Sequence, residues 1–297
     1  MPAVSRWIDP DALMRVKSLE LRARMVMEGF WKGLHKSPLH GFSVEFSEYR
    51  PYVKGDDPRF LDWKVMARSD RAFIKKFEDE TNLRAHLVLD RSRSMTYGSG
   101  TFTKADYSAT LAATMAHFLA GQGDAVGLTT FDEKMDRHIP ARNRPGQVRR
   151  IMLQLEHSSS GSGTDLGAAM KGIHELVRKR CMIFLFSDLL APVEELEKQI
   201  GYLSAAGHDL VIFQFLDHRE IHFDFEKATH FRDTETGKDL YVDPVNARKS
   251  YLEKFEAHQE AIRTMCARHR ANYRLVSTSE PLDRVMFDFV QDRQQGR

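Results

Sequence analysis

Two spacings of apolar residues recur along the chain, and they predict alternating strands and helices. Short runs rich in branched and aromatic residues are typical of buried strands, and they occupy residues 83–89, 124–131, 135–139, 181–187, 209–216 and 273–277. Apolar residues at three- and four-residue steps predict amphipathic helices, which cover residues 10–30, 102–119, 147–155, 166–178 and 193–205 and begin again at 244 and 281. The alternation predicts an α/β fold with a doubly wound, mostly parallel sheet.

The pattern changes near both ends of the chain. Residues 41–68 mix apolar alternation with turn signals and charges, and residues 72–78 read as a further strand. Residues 223–242 contain the turn sequence Thr234-Glu235-Thr236-Gly237-Lys238, which predicts a β-hairpin. We therefore expect an N-terminal α/β extension within residues 1–80 and a sheet domain over residues 81–297, with a hairpin inserted near the C-terminus.

Charge and cysteine content argue against several classes of protein. The 297 residues carry 44 Lys and Arg against 42 Asp and Glu, a net charge of +2 that predicts no specific nucleic-acid binding. The only cysteines, Cys181 and Cys266, form no Cys-x-x-Cys pair and support neither a zinc ribbon nor a disulfide framework. The N-terminus has no apolar signal core, and no apolar run is long enough for membrane insertion. We expect a soluble cytoplasmic protein.

The first candidate site is the sequence Asp90-Arg91-Ser92-Arg93-Ser94, directly after the predicted strand 83–89. An Asp at the carboxyl end of such a strand points into the crevice where open α/β sheets bind ligands. One carboxylate and two hydroxyls are hard oxygen donors, which suit Mg²⁺ or Mn²⁺ and not Zn²⁺. The motif alone is a weak signal, because the same residues also cap loops and helices.

Two further residues extend this set of oxygen ligands. Thr164 follows the serine- and glycine-rich stretch 158–163, and Asp188 follows the predicted strand 181–187. Taken alone, each of these two residues could equally be a helix cap or a turn residue and not a metal ligand. Strand ends on one side of a doubly wound sheet converge at its switch point, so we expect the two residues to join the first loop around one ion. The full predicted set is Asp90, Ser92, Ser94, Thr164 and Asp188.

This set resembles the metal-ion-dependent adhesion site of von Willebrand factor A-type domains. That site has Asp-x-Ser-x-Ser after the first strand, a Thr on a later loop and an Asp after the fourth strand. The resemblance implies a von Willebrand factor A-like (Rossmann-like) fold that binds a divalent cation: Mg²⁺, or alternatively Mn²⁺ or Ca²⁺. One coordination position would be left for a carboxylate of a partner protein. The implied function is metal-dependent protein binding and not catalysis.

Residues 41–68 interleave charges with large aromatic side chains, and this segment carries a second resemblance. We favour an ion-pair and hydrogen-bond network that pins an irregular segment, because buried charges must be paired; the alternative is a contact surface or a second site. The segment resembles the signature of a bacterial family of unknown function, domain-of-unknown-function family fifty-eight, with a von Willebrand factor A-like domain. The signature residues are Glu45, Arg50, Tyr52, Gly55, Asp56, Asp57, Arg59, Asp62, Trp63 and Arg68.

Membership in that family implies a partner. Its members are typically associated with MoxR-type AAA+ ATPases. The resemblance therefore implies an adaptor that works with such an ATPase, or with another protein offering a carboxylate ligand, in protein maturation or complex assembly.

Three other functions fit the residues less well. A phosphoryl-transfer hydrolase of the haloacid-dehalogenase type also uses an Asp and Mg²⁺ after the first strand, but Ser92 stands where its general acid would be, and no Lys is evident to steady a phosphoryl group. A nucleic-acid binder would use residues 137–150, with five Arg and no acid, although a solvated basic face is the favoured interpretation. The stretch 161–165 lacks the Gly-Lys-Ser/Thr of a P-loop ATPase.

Overall fold

The structure is a computed structural model, and it describes residues 7–35, 48–51, 73–76, 83–132, 135–157, 166–177, 179–225, 229–232 and 239–294. The chain divides into two compact units, one made of residues 1–36 with 83–297 and the other of residues 37–82. The division predicted from the sequence, 1–80 and 81–297, stays a prediction.

Ten strands are described. They are β1 (Glu48–Pro51), β2 (Phe73–Lys76), β3 (Arg84–Asp90), β4 (Ala125–Phe131), β5 (Met135–Arg142), β6 (Met182–Ser187), β7 (Asp209–Leu216), β8 (Thr229–Arg232), β9 (Asp239–Val242) and β10 (Asn272–Ser277). β8 and β9 pair antiparallel, which confirms the hairpin insertion. In the smaller unit, β1 and β2 also pair antiparallel.

Nine helices and one 3₁₀ helix are described within the same ranges. They are α1 (Pro10–Met14), α2 (Leu19–His35), the 3₁₀ helix Arg93–Thr96, α3 (Lys104–Gly121), α4 (Gln147–Glu156), α5 (Leu166–Leu176), α6 (Val193–Ala205), α7 (His218–His222), α8 (Pro244–Arg268) and α9 (Leu282–Gln294). Among these described segments, no helix combines the length and apolarity needed to cross a bilayer.

The larger unit is built on a six-stranded sheet in the order β10-β7-β6-β3-β4-β5. Every neighbouring pair is parallel except β4 and β5, and β5 forms one edge. The chain leaves β3 toward β4 on one side and later crosses to β6 on the other side. This order confirms the predicted doubly wound, mostly parallel sheet, and it makes the boundary between β3 and β6 the switch point.

Helices cover both faces of the sheet, as parallel sheets require. One core joins Val88 and Ile212 of the strands to helical side chains that include Ile173, Leu196 and Ile262. Successive side chains on a strand point to opposite faces, so the other face presents a second set of aromatic and aliphatic residues. On that face the ring of Phe184 lies 5.7 Å from that of Phe289 in α9.

The N-terminal helices belong to the unit that contains the sheet. Phe30 of α2 is fully buried, and its ring lies 5.6 Å from that of Phe118 in α3. The sequence pattern predicted one helix over residues 10–30, but two helices form. The physical reason is Ser18, whose hydroxyl accepts a hydrogen bond from the Leu21 backbone N–H at 3.3 Å, as expected of a residue that starts a new helix.

Candidate metal site at the switch point

The carboxyl ends of β3 and β6 lie side by side, and each carries one predicted carboxylate. Leu89 pairs with Phe186 in the register of these two strands. Asp90 is the last residue of β3, and Asp188 comes directly after β6. Both carboxylates are buried, each with 1% of its surface exposed. The structure therefore brings these two residues to the switch point, as the sequence predicted.

Asp90, Ser92 and Ser94 form a tight hydrogen-bonded loop. The Ser92 backbone N–H donates to Asp90 Oδ1 at 2.8 Å, and the Ser92 and Ser94 hydroxyl oxygens lie 3.0 Å apart. All three residues are buried. The 3₁₀ helix Arg93–Thr96 follows at once and holds the second hydroxyl near the first. One carboxylate and two hydroxyls are thus preorganised as oxygen donors.

The turn after β6 holds Asp188 through an unusual backbone conformation. Leu189 has a φ of 54°, in the left-handed region that branched and bulky residues rarely adopt. The buried Gln214 side chain supports the turn by donating from Nε2 to the Asp188 carbonyl at 2.9 Å. Backbone strain of this kind is found at functional sites, where the surrounding structure enforces it.

Asp90 is an electrostatically unusual carboxyl group. Burial, followed by the charge of the neighbouring Asp188, raises the pKa of Asp90 to about 7. Its hydrogen-bond donors include the Ser92 backbone N–H and the Ser187 hydroxyl, which reaches Asp90 Oδ2 at 2.5 Å. Two neighbouring buried carboxylates repel each other, and a cation between them would relieve that repulsion.

A lysine that the sequence did not reveal contacts the second carboxylate. Lys104 is fully buried, and its Nζ donates to Asp188 Oδ2 at 3.0 Å and to Glu220 Oε1 at 2.7 Å. Burial alone would lower the pKa of Lys104, but the Asp188 and Glu220 carboxylates outweigh burial and raise it. From the sequence no Lys was evident to steady a phosphoryl group; the structure places Lys104 beside Asp188.

The residues present fit a hard divalent cation. Asp90, Ser92, Ser94 and Asp188 offer only oxygen atoms, which Mg²⁺, Mn²⁺ and Ca²⁺ prefer. Within the residues that the structure describes, no three His, Cys, Asp or Glu side chains are grouped to hold a metal. A metal at the switch point would therefore depend on hydroxyl ligands as well as carboxylates.

Comparison with known families identifies the family to which this chain belongs. The family model described as "Protein of unknown function DUF58" matches residues 48–261, well over half of the chain. The chain belongs to this DUF58 family. The match covers five of the six strands of the sheet, its switch-point residues and most of the segment that carries the predicted signature.

Relatives of this DUF58 chain include uncharacterized proteins of Mycobacterium tuberculosis and Mycobacterium bovis. Each is 26% identical over 256 residues, which cover 84% of this chain and 80% of the relative. Among solved structures, the protein BatB from Bacteroides thetaiotaomicron is 14% identical with a TM-score of 0.49, covering 72% of this chain and 99% of that chain. The SpRpn10 VWA domain is 12% identical with a TM-score of 0.42, covering 69% and 94%.

Two side chains of the site were missed by sequence reasoning, and one of them left a signal. Lys104 lies three residues before Tyr107 and seven before Leu111, so it falls on the apolar face of α3, where a charge is unexpected. Ser187 is the last residue of a buried strand and carries no comparable signal. A charge on an apolar helix face is the pattern that predicts a buried, paired lysine.

Part of the predicted site lies outside the described residues. Thr164 belongs to the stretch 158–165, and most of the family signature belongs to residues 36–47 and 52–72, of which the structure describes nothing. Arg50 lies in β1, and its side chain is likewise not described. The roles of these residues stay predictions.

The basic stretch 137–150 begins in β5, two strands from β3 in the sheet. It follows the edge strand β5 into α4. Two cavities of about 280 and 290 Å³ border this edge; one is lined by Arg84, His86 and Lys179 among others, and the other by Arg137, Arg150 and His157 among others. Arg84 begins β3, whereas Asp90 ends it, so at least one cavity opens at the opposite end of the sheet from the candidate metal site.

Proposed function

We propose that this DUF58 protein is an adaptor that docks a partner protein through a divalent ion. The ion would be held by Asp90, Ser92, Ser94 and Asp188, with Thr164 completing the set. The observation that carries the proposal is the convergence of two buried carboxylates and two hydroxyls at the switch point of the sheet. No cation pairs with Asp90 among the described residues, which leaves that carboxylate available to a metal.

The ligand chemistry favours binding over catalysis. A bound Mg²⁺ would supply an electrophilic coordination position for an oxygen donor. The chain's own residues fix the protein ligands around that position: Ser187 orients Asp90, and the hydrogen-bonded loop fixes the two hydroxyls. Because the hydroxyl ligands are neutral, the ion would stay electrophilic, and a carboxylate from a partner protein is a fitting final ligand.

We further propose that the partner is a MoxR-type AAA+ ATPase and that the complex serves protein maturation or complex assembly. This part rests on the family resemblance of the 41–68 segment, and the match to the DUF58 family supports it. A von Willebrand factor A-type adhesion site, which presents a metal to an acidic residue of its partner, is the arrangement that we propose here.

The experiment is a binding assay with a purified MoxR-type ATPase encoded by the same genome. The immobilised protein should retain the ATPase in Mg²⁺ and lose it in EDTA. Asp90→Ala should abolish retention in Mg²⁺, whereas Asp209→Ala, which removes an exposed carboxylate at the start of β7, should not. Equal retention in Mg²⁺, in EDTA and by Asp90→Ala would refute docking through a metal.

The second candidate is a Mg²⁺-dependent phosphoryl-transfer hydrolase of the haloacid-dehalogenase type. Lys104 is the observation that favours it, because such an enzyme needs a lysine near the site to steady the phosphoryl group. However, Lys104 is buried and its ammonium already contacts two carboxylates, and Ser92 replaces the general acid. Turnover of a generic phosphate ester with Mg²⁺, abolished by Asp90→Asn, would establish the hydrolase and refute an adaptor that only binds.

A further inference from the structure

Lys104 is an ammonium group built into the edge of the candidate metal site. It is the first residue of α3, no part of its surface is exposed, and its Nζ bridges Asp188 Oδ2 and Glu220 Oε1. The three residues come from three different parts of the chain, so the contact is a product of the fold and not of local sequence.

The position of Lys104 is energetically unfavourable apart from these two contacts. Burial of an ammonium group costs free energy unless it is paired. The first turn of a helix also disfavours positive charge, because the helix dipole is positive there. The first turn of α3 already has its cap, since Thr103 and Asp106 form a capping box. Lys104 is therefore not needed to start the helix.

The bridge fixes the ammonium in place from both sides. Glu220 uses its other oxygen, Oε2, to accept a hydrogen bond from the Asp217 backbone N–H at 2.7 Å. Asp217 in turn caps α7, because its side chain accepts from the Arg219 backbone N–H. If Glu220 moved away from the site together with Lys104, this capping box would break. The capping box therefore holds Glu220 in place, and Glu220 holds the ammonium beside Asp188.

We propose that Lys104 is a resident counter-ion that weakens divalent-cation binding by this chain alone, so that stable binding requires the further carboxylate of a partner. This inference rests on the proposed function. Asp188 would be shared between the ammonium and the divalent ion, and two cations on one carboxylate repel each other. A partner's carboxylate restores the missing negative charge, which couples ion binding to docking.

A purely structural role for Lys104 predicts the opposite result. If the ammonium only oriented Asp188 for the metal, its removal would weaken divalent binding. If it is a competing charge, its removal strengthens that binding. The direction of the change in affinity therefore separates the two roles.

The test uses Mn²⁺ titrated into the full chain, with bound ion followed by electron paramagnetic resonance. The main variant is the double change Lys104→Met with Glu220→Gln, which removes the lysine and one of its carboxylates together and frees Asp188. We expect its Mn²⁺ dissociation constant to fall at least about tenfold below that of the wild type, given the size of a charge repulsion near a protein surface. Melting curves establish that the variant is folded.

A second variant keeps the test decisive if the first does not fold. Lys104→Gln removes the charge, but its amide NH₂ can still donate hydrogen bonds to Asp188 and Glu220. We expect this variant also to bind Mn²⁺ more tightly than the wild type. Glu220→Gln alone leaves the ammonium on Asp188 and should not tighten binding. Adding Asp90→Asn to the tightened variant should abolish the gain, which locates the ion at the switch point.

Each outcome has one meaning. Unchanged or weaker Mn²⁺ binding by the folded Lys104 variants, with the wild type still binding through Asp90, overturns the counter-ion role and leaves the proposed function standing. Absence of Mn²⁺ binding by the wild type and by every variant refutes the metal site itself and the proposed function with it.

Discussion

Ser187 orients the Asp90 carboxylate from the neighbouring strand. Its hydroxyl donates to Asp90 Oδ2 and accepts from the Leu189 backbone N–H at 3.1 Å. Groups that orient a metal ligand typically contribute 10- to 100-fold to affinity. We expect Ser187→Ala to weaken Mn²⁺ binding about tenfold and to lower the free energy of unfolding by about 1 kcal/mol.

The matched control for this change is Ser204→Ala. The Ser204 hydroxyl also donates one hydrogen bond, to the His269 carbonyl at 3.0 Å, but it lies in α6 outside the site. Ser204→Ala should cost similar stability and leave ion affinity unchanged. Isothermal titration with Mn²⁺ measures the difference, and an equal affinity for both variants would show that Ser187 does not orient a metal ligand.

At the residue scale, the sequence identified the two carboxylates at the strand ends and missed Ser187 and Lys104. Asp90 and Asp188 were predictable because both follow buried strands of a doubly wound sheet. Lys104 was missed although it falls on the apolar face of α3, because a lysine in the first turn of a helix normally faces solvent. Its burial depends on Glu220, which follows it by 116 residues, and no local pattern encodes that contact.

At the element scale, Arg91 joins the candidate metal-binding loop to the end of α4. Its guanidinium donates to the carbonyls of Gln154 at 3.0 Å and Leu155 at 2.8 Å, and also to that of His157. These carbonyls at a helix end have no partner within the helix. We expect Arg91→Met to lower the free energy of unfolding by about 2–3 kcal/mol in urea denaturation.

Arg93→Met is the control for this loop. Arg93 lies two residues further on and is exposed, so its replacement should change the free energy of unfolding by less than about 0.5 kcal/mol. If the two variants lose the same stability, Arg91 does not hold the end of α4.

The contact between α9 and the N-terminal segment should make stability depend on pH. Asp283 is fully buried and accepts from the Ile8 backbone N–H at 3.3 Å; burial raises its pKa to about 6, although backbone hydrogen bonds oppose the shift. A raised pKa means that the folded state binds the proton more tightly than the unfolded state. The resulting stability is present below about pH 4 and is lost as the pH rises through about 6.

Asp283→Asn isolates this effect, because the amide keeps the shape and does not titrate. The free energy of unfolding of the wild type should fall relative to that of Asp283→Asn as the pH rises from about 4 to about 7. Urea denaturation at several pH values measures this difference. A difference that stays constant or changes in the other direction would contradict the assignment.

Whether a segment forms a strand or a helix was easier to predict than the positions at which one helix ends and the next begins. The strand predicted over residues 209–216 forms as β7 with the same bounds, and the helix predicted over 193–205 forms as α6. Both have uninterrupted apolar periodicity between clear turn signals. The break between α1 and α2 was missed because the apolar steps continue across it, whereas a single serine cap decides where the second helix begins.

At the scale of the whole molecule, a doubly wound sheet gathers two carboxylates and two hydroxyls at its switch point. The alternation of strands and helices predicted that sheet, and the order β10-β7-β6-β3-β4-β5 confirms it. The sequence could not reveal the partner, because a partner recognises a folded surface and not a local pattern.

The most direct test of the central claim is a Mn²⁺ titration of the wild type, Asp90→Asn and Asp209→Asn. We predict that the wild type and Asp209→Asn each bind one Mn²⁺ that Mg²⁺ displaces, and that Asp90→Asn binds it at least about tenfold more weakly, because it removes a charged ligand. Equal Mn²⁺ binding by all three proteins, or no Mn²⁺ binding by the wild type and by the Lys104 variants alike, would contradict a metal site at the switch point.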